Sequence, residues 1–168
     1  GLEVLGELAH LSHVAKLEVK FAFVGEGVFR HSLEKITNGL PNVKFYDFVE
    51  AEHLNFLLSA ADIHLLPQKM GIQDLVLPSK LANILLSGRP VIAAAASGTE
   101  VERIVSGAGI VVQPENAKDF FNALVMLESD SLLRENLGAL GKSYALEYLN
   151  KETILRRFER KLKLMAVE

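Results

Sequence analysis

A chain of 168 residues, 49% hydrophobic and 23% charged, is long enough to bury one sizeable core and short enough to be a single domain. A net charge of −3 with only 7% aromatics supplies neither a basic stripe nor a stacking platform, which argues against nucleic acid as a partner. There is no cysteine, so disulfides and thiolate metal sites are excluded, and none of His10, His13, His31, His53 and His64 stands with carboxylates at metal-ligand spacing. No apolar run approaches the roughly 18 residues that span a bilayer and no basic-then-apolar leader opens the chain, so the expected compartment is the cytoplasm.

Val4, Leu8, Leu11 and Ala15 recur at helical intervals and predict an amphipathic helix over 2–16, which the chain enters without a capping residue. Residues 18–24 read as a strand that becomes wholly apolar at its end, and Gly25-Glu26-Gly27 turns it into a helix over about 28–38, closed by Gly39-Leu40-Pro41-Asn42. A second short strand covers 43–45, a helix with Leu54, Leu57, Leu58 and Ala61 on one face follows, and 63–66 is a third strand. The loop 67–77 is long for a compact domain and reads as a binding element. Pro78 suits a first helical position, Leu81, Ile84 and Leu85 form one apolar face, and Gly88 and Pro90 stop that helix before the buried strand 91–94. Gly98-Thr99-Glu100 opens a short helix to about 105, and Gly107 and Gly109 frame a strand at 110–112. A helix over 116–128 turns Phe120, Leu124 and Leu127 inward, and another over 132–146 is expected to break near Gly138 and Gly141. The last, over 151–165, carries Ile154, Phe158, Leu162 and Met165 on one face and is expected to dock on the domain through Phe158 and Leu162.

Short apolar strands separated by helices imply an α/β fold, a doubly wound, mostly parallel sheet with helices on both faces. Ligands of such sheets bind at the carboxyl ends of the strands, which here collects Gly25 to Gly27, Asp47 and Phe48, the 67–77 loop, Ser79, Lys80 and Gly98 to Glu100. The first turn after Pro78 combines unpaired backbone N–H groups, the positive end of the helix dipole, a hydroxyl (Ser79) and a cation (Lys80), an arrangement suited to an anion. Gly25-x-Gly27, with Asp47 22 positions after Gly25, partly matches a dinucleotide fingerprint in which an acid binds ribose. Its third glycine is replaced by Arg30, which suits a phosphate oxygen better than close helix packing. An NAD-type domain of an oxidoreductase, a nucleoside-diphosphate site, and a non-catalytic regulatory or scaffolding module with a degenerate pocket all remain open at this point.

The order of motifs resembles a known family. Phe23-Val24-Gly25-Glu26-Gly27 with Arg30, Asn42-Val43-x-Phe45, Leu57-Leu58-x-Ala60-Ala61-Asp62, Pro78-Ser79-Lys80, Ser87-Gly88-Arg89-Pro90-Val91-Ile92-Ala93, Gly98-Thr99-Glu100 and Gly109-x-Val111-Val112-x-Pro114 are similar to the carboxy-terminal domain of the group 1 (GT4) retaining glycosyltransferases of the GT-B type. Gln68-Lys69 followed by Leu77-Pro78-Ser79-Lys80-Leu81-x-Asn83 is most similar to the WcaI-like branch, which serves colanic-acid and exopolysaccharide assembly. The resemblance covers about residues 2–165 and implies a Rossmann-like domain that binds a nucleotide sugar, UDP- or GDP-linked, with no metal or other cofactor required.

Carried over, the resemblance makes Gly25, Glu26 and Gly27 a close backbone approach to the donor and Arg30 a more peripheral phosphate contact. Tyr46, Asp47 and Phe48 would line the base pocket, and Ser79 and Lys80 would lie at the diphosphate, where a fixed cation stabilises charge on the leaving group. The family often carries two glutamates eight residues apart; these positions hold Leu75, with Val76 beside it in the donor site, and Asn83. Asp74 would stand in for the first acid, and Asn83 would hydrogen-bond ribose in place of the second. The family's basic pair falls before Gly1, as does its acceptor domain, so residues 1–168 read as a donor-binding domain truncated at its amino terminus, inactive alone and partnered by the amino-terminal acceptor domain of a longer protein. Any peripheral membrane association would come through those missing parts.

Overall fold

The computed structural model describes residues 1–71, 79–149 and 151–165. Its elements in chain order are α1 (Glu3–Val14), β1 (Phe21–Val24), α2 (Arg30–Ile36), β2 (Val43–Tyr46), a 3₁₀ turn at Ala51–His53, α3 (Leu54–Ala60), β3 (His64–Leu66), α4 (Ser79–Leu86), β4 (Val91–Ala94), α5 (Glu100–Val105), β5 (Gly109–Val112), α6 (Ala117–Ser129), α7 (Ser131–Tyr144), a π turn at Ala145–Leu149, and α8 (Lys151–Met165). All strand pairings are parallel. β4 shows why its sequence is apolar without alternation. Ile92 and Ala94 face a core shared with α1 and α6, while Val91 and Ala93 face a second core under α4 and α5, so all four side chains are buried. This is the doubly wound α/β arrangement, with α1, α2 and α6 on one face and α4 and α5 on the other.

The expected single sheet is instead two. β1 pairs with β2, and β3, β4 and β5 form a separate sheet in that order. Both contribute to one core, since Phe21 of β1 is buried with Ile92 and Val112 beneath α1 and α6. The first helix also buries a different stripe from the one expected. Val4, Leu5, Leu8, Ala9 and Ser12 are inward, whereas Leu11 and Ala15 are exposed. α1 touches α2 on one flank and α6 on the other, which broadens the covered stripe, and Ser12 enters it by donating its hydroxyl to the carbonyl of Leu8 at 2.8 Å. The expected helix over 28–38 shortens to α2, because Val28 and Phe29 form an exposed turn before it. On α3 the expected face is present, but Leu54, Leu57, Leu58 and Ala61 are only half-buried at the edge of the fold.

Two further expectations reverse. α7 is continuous through Gly138 and Gly141, and these glycines serve close packing rather than a break. A Cβ on Gly138 would lie 2.0 Å from the carbonyl oxygen of Gly88, and one on Gly141 would lie 3.0 Å from Leu85 Cδ2. Gly88 itself ends α4 with φ +74°, as its position before Arg89-Pro90 requires. At the other extreme, α8 forms over the expected residues but does not dock through Phe158 and Leu162, which are 60% and 49% exposed. The side chains of Ile154 and Met165 lie outside the described residues.

Candidate functional site

The site begins where β1 ends. Gly25 takes φ +112°, a conformation closed to ordinary side chains, and no atom stands within 4 Å of where a Cβ would be on either Gly25 or Gly27. The backbone there is open to an approaching ligand. Arg30, the first residue of α2, folds back over this turn. Its Nη1 donates to the carbonyls of Gly25 (3.1 Å) and Tyr46 (3.2 Å) and to Asp47 Oδ1 (3.2 Å), and its Nε donates to Glu34 Oε1 (3.0 Å). The guanidinium also lies over the Phe45 ring, which stacks on Phe23. Hydrogen bonding to Glu34 first, and the nearby Asp47 charge, raise its pKa above the ordinary arginine value. Arg30 therefore ties the end of β1 to the end of β2, with Nε and Nη1 committed to protein acceptors.

The neighbouring residues line an open surface. Asp47 reaches Arg30 yet its side chain is 88% exposed, and Tyr46 and Phe48 are exposed beside it. Glu26 is also exposed. From β3, the chain leaves through Pro67 to Gly71 and is drawn toward the same turn, because Lys69 Nζ lies 6.0 Å from the centroid of the Phe29 ring. The Met70 N–H is held by Glu115 Oε2 at 3.2 Å. Pairing over 45 positions leaves no local signal in the sequence, and Glu115 escaped the sequence reading for that reason.

Ser79 and Lys80 open α4 at the carboxyl end of β3, and both are exposed, as is Asn83 one turn later. Leu81, Ile84 and Leu85 on the opposite side bury the helix and fix its direction. Asp74, Leu75 and Val76, predicted for the donor site, lie outside the described residues, as does Pro78. Gly98-Thr99-Glu100 makes a different use of its groups. Thr99 caps α5 by accepting from the Glu102 N–H at 3.3 Å, Glu102 Oε2 accepts the Gly98 N–H at 2.6 Å, and Glu100 pairs with Arg103. A cleft of about 450 Å³ between β5 and α6 is bordered by Ser97, Gln113, Asp119 and Asn122, but none of the predicted site residues lines it. Residue chemistry and position at the carboxyl ends of the strands, not cavity size, favour the side of the fold that carries Gly25, Lys69 and Lys80. Among the described residues no three histidine or carboxylate side chains are grouped to hold a metal ion, and no helix is long and apolar enough to cross a membrane.

Comparison with known proteins adds to this geometry. A family model described as Glycosyl transferases group 1 matches residues 2–130. The chain is 36% identical over 143 residues to the colanic acid biosynthesis glycosyl transferase WcaI of Escherichia coli K12, covering 82% of this chain and 34% of that protein. It is 27% identical over 134 residues to the sulfoquinovosyl transferase SQD2 of Arabidopsis thaliana, covering 78% of this chain and 25% of that one. Among solved structures it superposes on Staphylococcus aureus TarM in a complex that includes UDP, with a TM-score of 0.77, 19% identity and coverage of 95% and 32% of the two chains. Anabaena HepE in complex with UDP gives a TM-score of 0.74 at 19% identity, with 97% and 45% covered. The chain thus spans between a quarter and a third of the length of these curated relatives.

Proposed function

From the premise that this chain belongs to the group 1 glycosyl transferases, we propose that it is the donor-binding domain of a retaining enzyme that moves a sugar from a nucleoside diphosphate to a growing polysaccharide or lipid-linked acceptor. The fold is the Rossmann-like α/β unit of GT-B glycosyltransferases. The observation that carries the proposal is the exposed Ser79-Lys80 pair in the first turn of α4, at the same strand ends as the open Gly25 turn. A diphosphate there meets a helix amino terminus and a cation together. As the glycosidic bond to the leaving diphosphate breaks, negative charge grows on its oxygen, and the Lys80 ammonium stabilises that charge without a metal. Asn83, on the same exposed side of α4, is placed to hydrogen-bond a ribose hydroxyl, and Tyr46 and Phe48 offer aromatic surface for a base.

The acceptor site belongs to a further domain of the longer protein, and this domain alone is inactive. The compartment proposed for the reaction is the cytoplasm. The dehydrogenase alternative loses its motive with the family, and Asp47, its expected ribose ligand, is instead paired with Arg30. Titration calorimetry of UDP and GDP against the full-length enzyme tests the proposal. A charge-assisted hydrogen bond contributes about 1.5–3 kcal/mol, so Lys80→Ala should weaken nucleotide binding about ten- to hundredfold while leaving the unfolding midpoint nearly unchanged. Unaltered affinity in Lys80→Ala, or tighter binding of NAD than of either nucleotide, refutes it.

A further inference from the structure

Two non-glycine residues among the described ones take a positive φ, Lys16 at +57° and Glu115 at +59°, and only the first is explained by its own neighbourhood. Lys16 follows α1. The Lys16 N–H donates to the His13 carbonyl and the Leu17 N–H to the Ser12 carbonyl, both at 3.0 Å, which closes the helix through a left-handed residue. Glu115 stands before a helix, not after one. It is the third residue of the turn Gln113-Pro114-Glu115-Asn116, closed by the Asn116 N–H on the Gln113 carbonyl at 3.4 Å. Proline second and a positive φ third is the pattern of a turn in which glycine sits without cost and a residue with a Cβ is strained. Nothing within the turn calls for a glutamate.

What the side chain reaches does call for one. The turn is fixed behind by buried Val112 and Pro114 and in front by Asn116, which caps α6. From this base Glu115 Oε2 accepts the Met70 N–H at 3.2 Å and links the end of β5 to the segment leaving β3, two strands that lie on opposite sides of β4. Lys69 precedes Met70, and its ammonium lies 6.0 Å from the centroid of the Phe29 ring, directly before Arg30 and α2. An anchor on the next backbone N–H restricts where Lys69 can carry its charge. Glu3 and Glu7 of α1 border the same hollow as Glu115, so another negative charge is unfavourable there and the hydrogen-bond acceptor is what the position supplies.

We propose that Glu115 is a positioning residue of the donor site: by anchoring Met70 it holds Lys69 beside the turn that follows β1, where the Lys69 ammonium meets the diphosphate of the nucleotide donor. The proposal rests on the donor-binding reading given above. Lys69 follows the last residue of β3, Leu66, by three positions, and Lys80 lies in the first turn of the next helix, so both cations are delivered to the carboxyl end of the same strand. A lysine loses rotamer freedom on meeting a phosphate, and fixing its backbone beforehand lowers that cost. Glu115 touches no ligand in this arrangement and acts only through Lys69. Its removal therefore cannot weaken binding more than removal of Lys69 itself.

Nucleotide titration and hydrogen exchange on the full-length enzyme test it, with UDP and GDP as the probes. Lys69→Ala should weaken binding about tenfold, the lower end for a charge-assisted hydrogen bond, and Glu115→Gly about three- to tenfold. Glu115→Gly also relieves the turn, so the melting temperature should hold or rise by about 1–4 °C while affinity falls. Glu115→Gln, which keeps an acceptor for the Met70 N–H, should bind within about twofold of the parent. In the Lys69→Ala background, Glu115→Gly should have no further effect. Lys16→Gly, which relieves the other positive φ before the amino end of β1, should leave affinity unchanged. Without nucleotide, the Met70 amide should exchange faster in Glu115→Gly than in the parent. Unchanged affinity in Glu115→Gly, a loss in Glu115→Gln as large as in Glu115→Gly, additive losses in the double variant, or equal Met70 exchange in the two proteins each overturns the proposal. A parent that binds neither nucleotide overturns the donor reading and this role with it, and the ligand-free exchange at Met70 then shows whether the anchor itself exists.

Discussion

Replacing Gly138 by alanine separates two effects of opposite sign. Judged on α7 alone, alanine in place of an interior glycine should stabilise the helix by about 1 kcal/mol. The tertiary contact argues the reverse, because the new Cβ would fall 2.0 Å from the Gly88 carbonyl oxygen and 2.8 Å from its carbon. The obstacle is backbone, held by the α4 stop at Gly88 and by buried Pro90, so α7 must retreat by more than an ångström to reach ordinary contact. Overpacking of this kind costs about 1–3 kcal/mol, and against rigid backbone the upper end applies. The helix gain offsets part of that, leaving a net loss of about 2 kcal/mol, or roughly 4–8 °C in melting temperature for a domain of this size. Urea unfolding followed by circular dichroism measures it. Gly107→Ala, with open space around its Cβ, serves as the control and should stay within about 0.5 kcal/mol. A Gly138→Ala variant that is neutral or more stable would refute the close α4–α7 contact and, with it, the support behind the helix that carries Lys80.

Phe158→Ala should change the stability of this chain by no more than about 0.5 kcal/mol, since the ring is 60% exposed; a loss of several kcal/mol in the same urea assay would mean that α8 docks on the domain after all. His64 has a pKa below its ordinary value, chiefly because burial disfavours the imidazolium, with the Arg89 charge adding, while the Leu58 carbonyl that accepts from Nε2 at 2.9 Å works the other way. As pH falls below about 6.5 the unfolded chain takes up the proton before the folded one does, so this contribution to stability is complete above that pH and is lost below it. His64→Gln, which keeps a donor for Leu58, should therefore lose less stability than the parent between pH 7.5 and 5.5, and parallel losses would show that His64 does not titrate in this way.

Much of the fold was legible because the signals are local. Gly88 before Arg89-Pro90 stops α4, the Asn116 side chain accepts the N–H groups of Lys118 and Asp119 and so starts α6, and the apolar run of β4 marks a strand covered on both faces. The order of short motifs was likewise enough to identify the glycosyltransferase family that the comparisons establish. Lys80 and Ser79 could be assigned to the exposed start of a helix from Pro78 and the apolar spacing alone, and they stand there.

Other outcomes depended on what each element meets. Gly138 and Gly141 have the composition of a helix break, yet they are where α7 approaches Gly88 and Leu85, a contact between segments some fifty residues apart. Phe158 and Leu162 have the spacing of a buried face, but periodicity states only that a face exists and not what covers it. Arg30 reads as a free cation for phosphate, and only the meeting of β1 and β2 surrounds it with the carbonyls of Gly25 and Tyr46 and the carboxylates of Glu34 and Asp47. The sequence by itself determined the elements, their winding and the family, because caps, stops and periodicity act within a few residues. The division into two sheets, the roles of the α7 glycines and the engagement of Arg30 were decided by tertiary structure, because each is a relation between surfaces that the chain brings together only after it has folded.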